Sequence, residues 1–217
     1  MRKSKSFVLL IMAVLCLCSC RNNDENGHAQ RGNIGISSHV STATMAQINS
    51  HLSYMFCRMT RSSHNITEKE AEDILSPLVP AGNQIKNDLL SLAMHNEILM
   101  TDKEINAIAS LDDASLAGLA YTVATLESVL DDSLDEPIGK EHKYTKEEVL
   151  DCLFQGLVGA GGIGGTADYI WYTNKFMTAT TVKEIAWAFF KRTLGWIGVV
   201  YAVYEFTDCL NEKARNK

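Results

Sequence analysis

The sequence predicts an all-α protein, a helical bundle followed by a glycine-rich helical hairpin. Three observations carry this expectation. Apolar residues recur at spacings of three and four through most of the chain after residue 42. A Thr followed three residues later by Glu occurs four times, at Thr67…Glu70, Thr101…Glu104, Thr145…Glu148 and Thr181…Glu184, which is the pattern of a reciprocal helix cap. Only three prolines are present, and few apolar–polar alternations mark strands.

In chain order, the first segment is a leader rather than a folded element. Met1-Arg-Lys-Ser-Lys is basic, Phe7 to Leu17 is apolar, and Cys18-Ser19-Cys20 closes the run. The apolar run is shorter than the roughly 20 residues that a membrane-spanning helix needs, so it reads as a secretory signal over 1–19. Leu17, Ser19 and Cys20 resemble the lipobox of bacterial lipoproteins. That resemblance implies cleavage between Ser19 and Cys20 and lipidation of Cys20. Several acyl chains on one residue anchor a protein stably, where one chain binds marginally. Arg21 stands where an aspartate would retain an enterobacterial lipoprotein in the inner membrane, so the resemblance implies an outer-membrane anchor. Asp24 and Glu25 resemble the export signal that places Bacteroidota lipoproteins on the cell surface, leaving the orientation periplasmic or surface-facing. Residues 20–42 are polar and glycine-bearing, and the expectation is a lipidated flexible tether.

The bundle is expected over 43–130. Met45, Ile48, Leu52, Met55 and Met59 place a first helix at about Thr42 to Thr60. A short second helix follows Thr67 and stops near Ser76-Pro77. Pro80-Ala81-Gly82 separates it from a third, with Ile85, Leu89, Leu92 and Ile98 along one side. A fourth runs from Thr101 to about Leu111. Asp112 or Asp113 caps a fifth, whose Leu116, Leu119, Val123, Leu126 and Leu130 form a packing seam. Residues 131–144 carry acidic residues, Pro137 and Gly139, and read as an acidic linker. Within it, Asp132-Ser133-Leu134 fits the short acceptor pattern for O-glycosylation at Ser133 in the phylum that the signal resembles. The start of a calcium loop at Asp131, Ser133 and Asp135 fails at Glu136 and His142, where glycine and glutamate are needed.

Residues 145–213 form the expected hairpin. Val149 and Leu153 precede, and Leu157 falls within, a run of glycines from Gly156 to Gly165. Gly159, Gly161 and Gly164 match a dinucleotide-binding spacing, but a capped helix precedes them where a strand is required. Small residues such as Gly156 and Ala160 instead allow two backbones to approach. Thr178 to Thr181 marks a turn, and a last helix carries Ile185, Phe189, Trp196, Ile197, Val200 and Val203. Folding the two sides together about that turn sets residue 152 opposite residue 207. Cys16 and Cys18 leave with the signal and Cys20 takes lipid, so this register favours a Cys152–Cys209 disulfide in an oxidising compartment, with Cys57 left over.

Without the leader, 17 basic residues face 26 acidic ones, a formal charge of −9. Nucleic acid is excluded as a partner on this ground, because its affinity rests on Lys and Arg neutralising phosphates. No nucleophile elbow and no metalloprotease motif is present, and no metal or cofactor set is expected. His51, Cys57 and His64 are spaced too loosely to share one helical face. The reading is therefore a membrane-anchored envelope lipoprotein with a non-catalytic binding or structural role and an envelope protein as possible partner. The C-terminal segment also resembles, in composition, the hydrophobic halves of some bacteriocins. That implies an alternative as a membrane-active antibacterial or immunity-type protein; an envelope enzyme is the second alternative.

Overall fold

The computed structural model describes residues 34–61, 65–134, 146–153, 155–156, 172–173, 176–192 and 195–216. The fold is all-α. Helix α1 spans Thr42–Arg61, α2 Glu68–Leu75, α3 Val79–Met94, α4 Asp102–Ala109 and α5 Asp113–Leu134. After it come α6 (Lys146–Leu153), α7 (Ala179–Arg192) and α8 (Gly195–Arg215). Three strands of two or three residues, β1 (Gly35–Ile36), β2 (Tyr172–Thr173) and β3 (Phe176–Thr178), pair antiparallel in the order β1-β3-β2.

Local chemistry sets most helix starts. Thr67 and Thr101 each accept a hydrogen bond from the backbone N–H of the glutamate three residues on, and that glutamate reaches back to the threonine N–H. Such a cap is worth about 1 kcal/mol. Asp112 accepts from Ser115 N–H at 2.8 Å and starts α5, and Ser41 accepts from Thr44 N–H at the start of α1. The expected cap at Thr181 is displaced by one turn. Thr178 accepts from Thr181 N–H, so α7 begins at Ala179 and Thr181 is buried inside it. Pro80 does not separate two helices either. A single 3-10 turn, Ser76–Leu78, joins α2 to α3, and Pro77 and Pro80 fall in first turns, where a missing N–H leaves no bond unmade.

Helix α5 is the centre. Every residue from Ala114 to Tyr121, and on to Ala124, is buried. A helix apolar on all sides is an interior helix, not the one-sided seam that Leu116, Leu119, Val123 and Leu126 predict. Helices α2, α3, α7 and α8 pack around it. They come close because the residues between the large ones are small. A methyl group at Gly82 of α3 would overlap the Leu116 carbonyl of α5, and one at Gly118 would stand 2.8 Å from Val199 and overlap the Phe189 ring.

The C-terminal half belongs to the same core. Val149, Cys152 and Leu153 of α6, Val182 and Phe189 of α7, and Val203 and Phe206 of α8 join Ile85, Leu89 and Leu119 in one buried cluster. The expected last helix is two helices, α7 and α8. Gly195, at φ 56°, opens the second, and a positive φ is a conformation that glycine adopts without steric cost. The hairpin register about residues 178–181 therefore does not apply, yet Cys152 of α6 and Cys209 of α8 are joined, with Cα atoms 5.3 Å apart. Gly156, just beyond α6, lies against the α8 backbone; an added methyl would stand 2.6 Å from Phe206 N. Lys213 and Asp151 add an ion pair at 3.7 Å across the same two helices. Between α4 and α7, Lys183 meets Glu104 at 3.1 Å. Burial pushes the Glu104 carboxyl up, but the Thr101 hydrogen bonds and the Lys183 ammonium outweigh it and hold the group below its ordinary range.

Part of the expected tether is docked. Ile36 and Ser38 are buried, and β1 pairs with β3 in the register Gly35 to Thr178 and Ile36 to Met177. Ser38 N–H donates to the Glu127 carboxylate at 2.8 Å, and His39 meets Asp88 at 3.0 Å. The flexible reading of residues 34–42 is corrected accordingly: a two-residue strand and two side-chain contacts offset the cost of ordering a polar segment. The signal, Ser19, Cys20 and the rest of the tether to residue 33 lie outside the described residues, as do residues 135–145 of the linker and Gly159 to Gly165. Helix α5 continues through Leu134, so residues 131–134, Ser133 among them, form its last turn rather than linker.

Gly82→Ala would gain roughly 1 kcal/mol of helix propensity but drive a methyl into a backbone carbonyl that cannot rotate aside. Overpacking of this kind costs about 1–3 kcal/mol. The expected outcome is a net loss of stability, seen as a fall in thermal midpoint of about 2–4 °C per kcal/mol; a rise would contradict the close approach of α3 and α5. Opening the Cys152–Cys209 bond, whose residues are 57 apart in sequence, should cost about 4 kcal/mol by chain entropy. Urea denaturation with and without reductant measures this, and a non-reduced peptide map with Cys57 in the bond would refute the pairing.

Candidate functional site

Three elements distant in sequence build one cleft. Helix α1 contributes Asn49, Ser53, Phe56 and Cys57, α5 contributes Tyr121, and α8 contributes Tyr204, Thr207, Asp208 and Asn211. The cavity is about 440 Å³, within the range of small-molecule sites. Helical periodicity explains the lining. Asn49, Ser53 and Cys57 are four apart and share a face of α1, just as Tyr204, Thr207, Asp208 and Asn211 share a face of α8.

The floor is a hydrogen-bonded chain. The Tyr121 ring is fully buried, and its hydroxyl lies 2.6 Å from the Asn49 side-chain amide and 2.9 Å from Thr207 Oγ1. The Thr207 hydroxyl in turn lies 2.9 Å from the Val203 carbonyl. Tyr121 donates to Asn49 Oδ1, and 2.6 Å is an O–H···O separation. Thr207 gives its one proton to the Val203 carbonyl or to Tyr121, and in both cases each hydroxyl of the chain keeps a partner. Burial pushes the Tyr121 phenol up, with the Thr207 contact opposing, so the hydroxyl is neutral throughout the physiological range.

The wall is aromatic. Phe56 and Tyr204 stack with centroids 3.5 Å apart and planes 17° apart, and Tyr201 meets Phe56 edge-on at 5.7 Å. Burial, and then the Asp208 charge, push the Tyr204 phenol up. Asp208 is more than half exposed at the rim, with Arg215 Nη2 3.9 Å from its Oδ1. Cys57 also lines the cleft and is exposed.

A cleft of neutral hydroxyls and amides, one carboxylate and a stacked aromatic pair can hold a ligand by hydrogen bonds and ring contact. Among the described residues it does not bring together a nucleophile, a base and an orienting group. His51 is exposed on α1 and lies outside the cleft, and His64 is outside the described residues. Among the described residues, no three His, Cys, Asp or Glu side chains are grouped to hold a metal ion, and no helix is long and apolar enough to cross a membrane. A second hollow, about 370 Å³, lies where residues 34–39 cross α3 beside the His39–Asp88 contact. The sequence singled out Cys152 and Cys209, which the structure joins, and Cys57, which it places in the cleft. It did not single out Asn49, Tyr121 or Thr207. Only the polar residues on the apolar stripe of α8, Thr207 and Asn211, hinted at them.

Comparison with protein families, with curated proteins and with solved structures finds no match to this chain. Tyr121→Phe should remove the middle of the floor and leave Thr207 and Asn49 to water. The expected cost is about 1 kcal/mol, read by urea denaturation. Retained stability together with unchanged amide exchange at Asn49 would show that the chain does not form.

Proposed function

We propose that this is a lipid-anchored cell-envelope protein that binds rather than catalyses, through the cleft between α1, α5 and α8. The cleft is the observation that carries the reading. Its floor is internally satisfied, so it is preformed, and a preformed site loses less on binding than one that must be ordered. Its polar groups are of a kind that recognises a ligand and holds it. The Ser19-Cys20 lipobox supplies the anchor, and the chain between Cys20 and Ile34 is short, so the body stays close to the membrane surface. Two observations weigh against a membrane-active hairpin. Val199, Val200, Ala202, Val203 and Phe206 of α8 are buried in the shared core. Cys209 ties the same helix to α6. Releasing α8 would expose the centre of the fold.

Metabolic labelling with a palmitate analogue tests the anchor. Label is expected on the native chain and absent from Cys20→Ala, which should also appear in the soluble fraction. Equal labelling of both would sink the lipoprotein reading. Whole-cell protease accessibility then separates periplasmic from surface orientation.

A further inference from the structure

We propose that the cleft between α1, α5 and α8 takes a neutral polyhydroxylated ligand, a sugar of one or two rings. This rests on the reading of the cleft as the binding site. Charge decides against the first competitor, an anion. Among the described residues no Lys, Arg or His lines the cleft, Asp208 does line it, and the chain without its leader is strongly acidic. A phosphate or carboxylate ligand would enter against a negative field, and the nearby cation, Arg215, stands outside the described lining and is already beside Asp208.

A cation is the second competitor, because aromatic rings with a carboxylate recognise ammonium groups. Two features disfavour it. Asp208, the one carboxylate among the described lining residues, already has the Arg215 guanidinium 3.9 Å away as a competing cation. The Phe56 and Tyr204 rings stack on each other, which removes one face of each from an ammonium cage. An apolar ligand is the third. It would strip water from Asn49, Ser53 and Asn211 and offer those groups no partner, at a cost that apolar contact with one aromatic pair does not offset.

A hydroxyl-rich ring meets each requirement. Every sugar hydroxyl both donates and accepts, which suits the mixed inventory of two amides, one serine hydroxyl and one carboxylate oxygen. The carbon–hydrogen side of such a ring is apolar and suits the Tyr204 and Phe56 wall. A cavity of about 440 Å³ holds one or two rings.

The test is calorimetric titration of the purified full chain with three separate probes: a panel of neutral mono- and disaccharides, choline, and inorganic phosphate. At least one neutral sugar should bind with little dependence on salt. Ser53 and Asn211 are exposed, so Ser53→Ala and Asn211→Ala should fold, as circular dichroism would verify. Each should weaken binding about three- to ten-fold, and Asp208→Asn by less. Binding of choline or phosphate that is lost in the two alanine variants would overturn the ligand class and keep the cleft as the site. Sugar binding that ignores both variants would overturn the cleft itself. Absence of binding by all three probes would overturn both.

Discussion

The close approach of α3, α7 and α8 to a helix that is buried on every side from Ala114 to Ala124 is the constraint from which the other features follow. Helix α5 presents alanine and glycine between its leucines, and Gly82 answers from α3. Interhelix distance here is set by backbone against side chain, with almost no slack, because interiors pack at crystal-like density. A core with its centre fixed this tightly holds Tyr121 in one place. From that place its hydroxyl reaches across to α1 and α8 and closes the floor of the cleft. The site is thus an outgrowth of the central helix rather than of a loop, and it has the rigidity of the core beneath it.

The second tie acts at the same end of the molecule. Cys209 follows Thr207 and Asp208 directly, so the bond to α6 fixes the stretch of α8 that lines the cleft. The aromatic wall is also anchored. Phe56 is nearly buried, and its ring stacks on Tyr204. Floor, wall and one rim are therefore each braced by a different kind of contact: a hydrogen-bond chain, ring packing and a covalent bridge.

What the sequence revealed and what it hid divide along physical lines. Caps at Thr67, Thr101 and Asp112 depend on atoms within three residues, so spacing alone finds them. The stripe on α5 found the large core residues but not the burial of the opposite face, because a periodicity of large side chains passes over Ala117, Gly118 and Ala120. Those small residues were the signal for an interior helix. The strand pair around Tyr172-Thr173 and Phe176-Met177-Thr178 also had a signal, aromatic and β-branched residues about a two-residue connection, submerged in the helical pattern around it. The cleft had none. Its floor joins residues 72 and 86 positions apart, and no local rule relates them. The structure brings together the two cysteines that the sequence favours, although not by the hairpin geometry that suggests them, since α8 reaches α6 without an unbroken partner helix.

The docking of residues 34–41 gives the molecule a defined point of attachment. Traction on the leading end of the chain does not reach α1 first. It enters through the two-residue ladder to β3, through the Ala179 N–H held by the Ile34 carbonyl, and through the Glu127 and Asp88 side chains. These contacts pass the load to α7, α5 and α3. The cleft lies beyond them, between α1 and α8, so it is mechanically shielded. A jerk on the N-terminal segment would unzip a strand of two residues before it disturbed the groups that face a ligand.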